Sequence, residues 1–154
     1  MISFKFTLFA LMLIVVSTTY GAEIALAAGP TAGVLFDSSG NNGPTIGFKC
    51  DLIANGPTAT GMFAFTPAVR LSLDSIITFA GKFRYPIGKV IPQLYSGAGF
   101  TLRDGEVYFI AGSGMEYKLL SRVSALAEIE TLSFKSYVIE FGFNFYISGL
   151  HTNP

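Results

Sequence analysis

The stretch Tyr137–Ile147, YVIEFGFNFYI, decides the fold class of this chain because its apolar residues recur at every second position. A period of two places successive side chains on opposite faces of a β-strand, whereas a helix repeats every 3.6 residues or so. One face is wholly apolar, with Tyr137, Ile139, Phe141, Phe143, Phe145 and Ile147. The other face is mostly polar or small, with Val138, Glu140, Gly142, Asn144 and Tyr146. The stretch therefore predicts a β-strand between an apolar surrounding and a polar or crowded interior.

The same alternation recurs upstream, separated by short breaks rich in Gly, Pro, Asn and Asp. Four further runs are clear: Ile76–Tyr85, Lys89–Thr101, Glu106–Lys118 and Arg122–Thr131. Three weaker runs precede them: Thr31–Phe36, Thr45–Ile53 and Thr60–Leu73, the last with Pro67 as a possible interruption. Eight is an even number, as bacterial barrels require, and the clear runs have about the length of a tilted membrane span. The pattern predicts an all-β fold, an eight-stranded antiparallel up-and-down transmembrane β-barrel over 31–147, followed by a short tail over 148–154.

The composition favours a chain that is partly solvated by lipid. Charged residues make up 13% of the 154 residues, and hydrophobic residues make up 51%. Soluble domains carry about 25% charged residues, so this chain would cover a soluble surface poorly. The formal net charge is zero, which gives no indication of a nucleic-acid partner. Beyond residue 28 no apolar stretch is long enough for a helical span, and a closed barrel satisfies every backbone polar group in lipid.

The first 22 residues have the three-part pattern of a secretory signal peptide. Lys5 supplies the positive charge, Phe6–Val16 is an almost unbroken apolar run, and a short stretch of small and polar residues ends at Ala22. A second small-residue site at Ala25-Leu26-Ala27 leaves the cut open to within a few residues. An uncleaved anchor is the alternative, but the apolar run is shorter than the roughly 20 residues that span a bilayer. We therefore expect residues 1–22 to be a cleaved export signal.

The polar faces of the strands carry most of the charged residues of the chain. An eight-stranded barrel has just enough interior for side chains, and charges buried there must pair because isolated burial is costly. We predict an interior charge cluster of Lys82, Arg84, Glu116, Glu128, Glu130 and Glu140, which Lys49, Asp51 and Arg70 can join. The favoured interpretation is a structural plug of ion pairs. A narrow gated ion path through the same charges is the alternative.

The sequence gives little support for catalysis or for a bound metal. Glu128 and Glu130 could in principle act as acid and base, but they lie two apart on one strand beside predicted cations. His151 is the sole histidine, and the sequence offers it neither a serine partner nor further metal ligands. Gly97-Ala98-Gly99 and Gly112-Ser113-Gly114 lie inside strands and lack the helix and lysine of a phosphate loop. We therefore expect no enzyme activity, no metal and no cofactor.

From Gly81 onward the chain resembles the small outer-membrane β-barrel family of the OmpA-like and opacity-protein type. Lys82–Lys89, KFRYPIGK, is similar to that family's penultimate periplasmic turn region. Pro92–Phe100 is similar to its proline, aromatic and Gly-Ala-Gly strand, and Ala111–Lys118 to its small-residue strand ending in Glu-Tyr-Arg. The resemblance covers the second half of the chain. It implies an outer-membrane location, contact with outer-membrane lipid and assembly by the barrel-insertion machinery.

These observations predict an outer-membrane β-barrel protein with a structural or surface-interaction role, a charge-plugged lumen and no catalysis. One alternative is a soluble periplasmic β-barrel that binds a small apolar ligand, with the apolar strand faces inside. The other is a narrow ion-conducting pore. The charged strand faces are rich in glycine, which suits a crowded interior better than a solvated exterior. The sequence leaves the oligomeric state and any ligand open.

Overall fold

A computed structural model describes residues 23–40, 42–55, 61–72 and 75–147, and these form one closed β-barrel. Its strands are β1 (Glu23–Asp37), β2 (Gly43–Asn55), β3 (Met62–Leu71), β4 (Ile76–Arg84), β5 (Val90–Thr101), β6 (Val107–Leu120), β7 (Val123–Leu132) and β8 (Ser136–Tyr146). Each strand pairs antiparallel with its neighbours in the chain, and β1 pairs antiparallel with β8. The predicted all-β, eight-stranded antiparallel up-and-down barrel is thereby confirmed.

The five clear runs of alternation correspond to β4 through β8, with every boundary within two residues of the prediction. The predicted signal peptide, residues 1–22, and the predicted tail, residues 148–154, lie outside the described residues. His151 lies there too. Within the described ranges, no helix has the length and hydropathy that a membrane-crossing helix needs.

The predicted start of the first strand at Thr31 is wrong, because the strand begins earlier. β1 starts at Glu23 and continues through Pro30, a residue without a backbone N–H. The ladder to β8 omits Gly29 and Pro30, whereas the ladder to β2 runs through both without interruption. Gly29 also lets β8 approach closely, since a Cβ there would overlap the backbone of Phe143. The Gly-Pro pair therefore lies inside a long strand and does not precede a short one.

Pro67 does not interrupt β3. It pairs with Phe79 of β4, while the ladder to β2 has a gap between Phe65 and Ala68. The missing N–H of proline therefore falls where that ladder is already open. The predicted strand Thr60–Leu73 is shorter in the structure, with both of its predicted end residues outside the described ranges.

The connections alternate between the two ends of the barrel. The end where β1 begins and β8 finishes, here called the terminal end, also holds the connections 56–61, 85–89 and 121–122. The opposite end, here called the turn end, holds the connections 38–42, 72–75, 102–106 and 133–135. The chain therefore enters and leaves the barrel at the same end, where the Ile147 backbone N–H donates to the Leu26 carbonyl at 2.9 Å.

Candidate functional site

The barrel buries its charges and exposes its large apolar side chains. The buried charged residues are Lys49, Asp51, Arg70, Lys82, Arg84, Glu116, Glu128, Glu130 and Glu140. Phe63, Leu94 and Phe141, in contrast, are 67%, 63% and 62% exposed. A soluble domain has the opposite preference, because its charged residues are almost never fully buried. The lumen is therefore the polar compartment of this fold.

The outward-facing side chains of the strands, here called the outer wall, carry no charge in the described part of the chain. The other charged residues whose side chains are described lie in connections or within two residues of a strand end: Asp37, Lys89, Arg103, Asp104, Glu106, Lys118, Arg122 and Lys135. A lysine or arginine on the lipid face of a barrel costs about 2–4 kcal/mol at the bilayer midplane. The outer wall avoids that cost along its whole described height.

A central network of ion pairs fills the middle of the lumen and consists of Lys49, Asp51, Arg70, Lys82, Glu128, Glu130 and Glu140. Lys49 pairs with Glu128, and its Nζ lies 2.7 Å from Glu140 Oε2. Arg70 joins two carboxylates, with Nε 2.6 Å from Glu140 Oε1 and Nη1 2.8 Å from Glu130 Oε1. Strands β2, β3, β7 and β8 are thus linked across the barrel interior as well as through their ladders.

Lys82 extends this network to β4. Its Nζ lies 3.0 Å from Glu128 Oε1 and 3.5 Å from Asp51 Oδ1, and it sits 5.3 Å from the ring centroid of Tyr95. Gln93 Nε2 also donates to Glu128 Oε1, at 2.9 Å. Glu128 therefore accepts from two lysines and one amide, which compensates much of the cost of burying its charge.

A second cluster lies toward the terminal end and centres on Arg84 and Glu116, both fully buried at 0% exposure. Arg84 Nη2 pairs with Glu116 and donates to the Tyr146 hydroxyl at 2.7 Å. Glu116 also accepts from the hydroxyls of Ser124 and Tyr146, and from Asn144 Nδ2 at 3.1 Å. Among the described residues, Glu116 is the one carboxylate within ion-pair distance of Arg84.

Buried apolar side chains cluster in the lumen toward both ends. The cluster toward the terminal end consists of Ala25, Ala27, Ile53, Met62, Ala64, Ile91 and Tyr146. The cluster toward the turn end consists of Ile76, Ala80, Tyr95, Ile110, Leu132 and Val138, with Leu35 and Tyr108 packed against it. A cavity of about 10 Å³ remains beside Lys82, Tyr95 and Glu130, which is room for about one water molecule. The central network thus lies between two apolar layers, and the layer toward the terminal end also contacts the Arg84–Glu116 pair through Tyr146.

The glycines of β6 make room for side chains of the lumen. A Cβ on Gly112 would lie 2.5 Å from the Tyr95 ring and 2.7 Å from the Ile129 carbonyl oxygen. A Cβ on Gly114 would lie 2.6 Å from Glu128 Cγ. The Gly-Ser-Gly sequence is therefore explained by close packing inside a barrel strand.

We expect Gly112→Ala to lower the free energy of unfolding by about 1–3 kcal/mol, because overpacking displaces the Tyr95 ring. The matched control is Gly81→Ala on β4, where an added Cβ meets no atom within 4 Å, and we expect a change of about 0.5 kcal/mol or less. Urea titration in detergent micelles, followed by circular dichroism, measures both. Equal effects of the two substitutions would contradict the packing argument.

The structure divides the six predicted cluster residues between two sites. Lys82, Glu128, Glu130 and Glu140 belong to the central network, together with Lys49, Asp51 and Arg70, whereas Arg84 and Glu116 form the separate pair. The uncharged polar partners of these charges were not predicted: Thr66, Gln93, Ser124, Asn144 and Tyr146. Four of them had a signal in the sequence, because Thr66, Ser124, Asn144 and Tyr146 each lie an even number of positions from a buried charged residue of their own strand. Gln93 had none, since β5 contains no charged residue. In the described ranges, no group of three or more His, Cys, Asp and Glu residues is arranged to hold a metal ion.

Comparison with known proteins supports the fold. No family model and no curated protein matches the sequence. A structure described as de novo design of transmembrane β-barrels matches with a TM-score of 0.65 at 12% identity, over 80% of this chain and 95% of that one. The solution NMR structure of the designed barrel TMB2.3 matches with a TM-score of 0.59 at 17% identity, over 81% and 95%. The crystal structure of Neisserial surface protein A matches with a TM-score of 0.50 at 12% identity, over 80% and 97%.

At these identities the comparisons establish the architecture alone. The chain has the fold of small eight-stranded transmembrane β-barrels, both designed and natural. None of the matches supports the OmpA-like and opacity-protein type in particular.

Proposed function

We propose, from the fold that this chain shares with small transmembrane barrels, that it is an integral outer-membrane protein with a structural or surface-interaction role. In this proposal ion pairs plug the lumen, and the protein performs no catalysis. The observation that carries the proposal is the inverted distribution of charge, with the charged strand residues in the lumen and an outer wall free of charge. Such a wall is favourable in hydrocarbon and unfavourable in water.

The location in the outer membrane rests on two further points. Closed antiparallel barrels with even strand numbers are the outer-membrane type of spanning protein. The predicted export signal over residues 1–22 would direct the chain to the compartment from which such barrels are inserted. Outer-membrane lipid around the wall and the barrel-insertion machinery during assembly are accordingly the partners in this proposal.

A soluble barrel that binds a small apolar ligand is disfavoured by the contents of the lumen. Ligand pockets are typically about 300–1,000 Å³ and mostly apolar. The cavity beside Tyr95 measures about 10 Å³ and is bordered by Lys49, Lys82 and Glu128. A ligand would have to displace buried, paired charges to enter.

A conducting pore is disfavoured by the apolar layers at both ends of the lumen. An ion would have to pass Ile110 and Val138 toward the turn end, and Ile53 and Ile91 toward the terminal end, all at 0% exposure. Between these layers the charges are engaged with one another, with four cations facing five carboxylates among the described lumen residues. Paired charges give the lumen rigidity but no continuous hydrated path.

The same pairing argues against acid–base catalysis by Glu128 and Glu130. Glu128 is held by Lys49 and Lys82, and Glu130 is held by Arg70. A catalytic carboxyl group must come within hydrogen-bond reach of a substrate proton. Both groups are 4% exposed, which leaves little room for a substrate to approach them.

Cell fractionation with gel electrophoresis tests the membrane part of the proposal. We expect the protein in the outer-membrane fraction, with a band that migrates differently before and after boiling in SDS, because a closed barrel resists detergent until heated. A soluble periplasmic protein without a band shift would overturn the proposal. Planar-bilayer recording tests whether the lumen is plugged. We expect no conductance steps, and stable unit steps would contradict the plug and indicate a pore.

A further inference from the structure

The hydroxyl group of Tyr95 is buried in the lumen, and none of the described residues forms a hydrogen bond with it. Tyr95 is 7% exposed and projects from β5 toward β6, where a Cβ on Gly112 would lie 2.6 Å from the hydroxyl oxygen. Burying a hydroxyl group without a hydrogen bond costs free energy, and most buried side-chain polar atoms in folded proteins have a partner. A hydroxyl group in this position therefore needs a partner that the described residues do not supply.

The Glu130 carboxylate lies beside this hydroxyl group. Gly112 pairs directly with Glu130 across β6 and β7, so the Tyr95 hydroxyl is at the height of Glu130 in the lumen. Arg70 Nη1 donates to Glu130 Oε1 at 2.8 Å, and in the described ranges Arg70 is the one cation within ion-pair distance of Glu130. A carboxylate can accept about four hydrogen bonds, so Glu130 has acceptor capacity left toward Tyr95.

Tyr95 and Glu130 both line the cavity beside Lys82, which has a volume of about 10 Å³ and can hold about one water molecule. The charged side chains of its lining are two cations, Lys49 and Lys82, and two carboxylates, Glu128 and Glu130. The lining therefore has no net charge, and an ion of either sign would gain no net attraction there. A neutral molecule that both donates and accepts hydrogen bonds suits this lining better than an ion does.

We propose that one water molecule is bound in this cavity and bridges the Tyr95 hydroxyl to the Glu130 carboxylate. The water donates to Glu130 and accepts from Tyr95. Its second acceptor site faces the third N–H of Lys82, whose other two donors face Glu128 and Asp51. Three hydrogen bonds are typical of a buried water molecule.

The bound water has a structural role between two parts of the lumen. Tyr95 belongs to the apolar layer toward the turn end, whereas Glu130 and Lys82 belong to the central network. The water therefore joins that layer to the ion pairs and fixes the Tyr95 ring over Lys82. This inference depends on the packing of the lumen alone, so it holds whether or not the barrel spans a membrane.

A crystal structure of the detergent-solubilised protein tests the bound water directly. We expect one ordered water at roughly 2.6–3.0 Å from both the Tyr95 hydroxyl oxygen and a Glu130 carboxylate oxygen. A direct hydrogen bond between Tyr95 and Glu130, or a cavity without electron density, would overturn the inference. So would an anomalous signal in the cavity from crystals grown with rubidium chloride in place of sodium chloride, because it would identify a cation site.

The substitution Tyr95→Phe tests the same bond in solution by the sign of its effect. Removing a hydroxyl group that is bridged by water should lower the equilibrium constant for folding in detergent micelles roughly five- to tenfold. The matched control is Tyr137→Phe on the outer wall, where the side chain is 51% exposed and we expect a change of about twofold or less. A hydroxyl group without any partner predicts an unchanged or higher folding constant for Tyr95→Phe, and that result would overturn the inference.

Discussion

Replacing Glu116 by leucine is expected to lower the free energy of unfolding by about 3–5 kcal/mol, because Arg84 would remain fully buried without a carboxylate partner. Removing one member of a buried ion pair leaves the desolvation cost of the other uncompensated. Ser124 and Asn144 would lose their acceptor as well. Urea unfolding of the barrel in detergent micelles, followed by circular dichroism because the chain has no Trp, measures this loss.

The control is the double substitution Arg84→Leu/Glu116→Leu. It removes both charges, so the unpaired cation is gone and the interior becomes more apolar. We expect the double variant to be more stable than Glu116→Leu alone, since apolar replacement of a whole buried pair is often near neutral. If the double variant were as unstable as Glu116→Leu, or less stable, the loss in the single variant would not come from the unpaired charge of Arg84.

An arginine on the outer wall is expected to destabilise the barrel only when lipid surrounds it. Phe141 lies at the middle of β8 and is 62% exposed, so Phe141→Arg keeps the lumen intact and changes the wall alone. At the bilayer midplane this substitution should lower the free energy of unfolding by about 2–4 kcal/mol. Equilibrium unfolding in phospholipid vesicles is the measurement.

The matched control for the wall is Leu102→Arg. Leu102 is exposed as well but lies in the connection 102–106 at the turn end, where arginine should cost about 0–1 kcal/mol. In a water-soluble barrel both residues would lie on the water-exposed surface, and each substitution would change the free energy of unfolding by about 0.5 kcal/mol or less. Two small and equal effects would therefore argue against a membrane-spanning barrel, whereas a large effect at Phe141 alone supports it.

Alternation within a strand was enough to predict the barrel and the side on which its charges lie. Glu116, Glu128 and Glu140 each lie on the polar face of a strand. Because side chains alternate between the two faces, every second residue of the strand lies on that same face. Once the sheet is closed, one set of faces must point inward. Strand pairing then needed no further information, because consecutive strands join through short connections.

The partners of each charge could not be predicted in the same way. Lys49 meets Glu128 across 79 positions of sequence, and Arg70 meets Glu140 across 70. Such contacts depend on the stagger of the strands around the closed barrel, which a single strand does not encode. The conformation of the turn 133–135 could not be predicted for another reason: Ser133 and Phe134 both adopt positive φ, at 49° and 59°, where Asn-Gly would be the usual signal.

The pairing of β1 with β8 has a consequence for how the barrel forms. Seven of the eight ladders join strands that follow one another in the chain, but this one aligns Asp37 with Ser136. The ladders between consecutive strands require little loss of chain entropy. The ladder between β1 and β8, in contrast, closes a loop that contains nearly the whole domain. Until it closes, both edge strands keep unpaired N–H and C=O groups that hydrocarbon cannot satisfy. In a membrane, closure of the barrel would therefore have to accompany the entry of these edge strands into lipid.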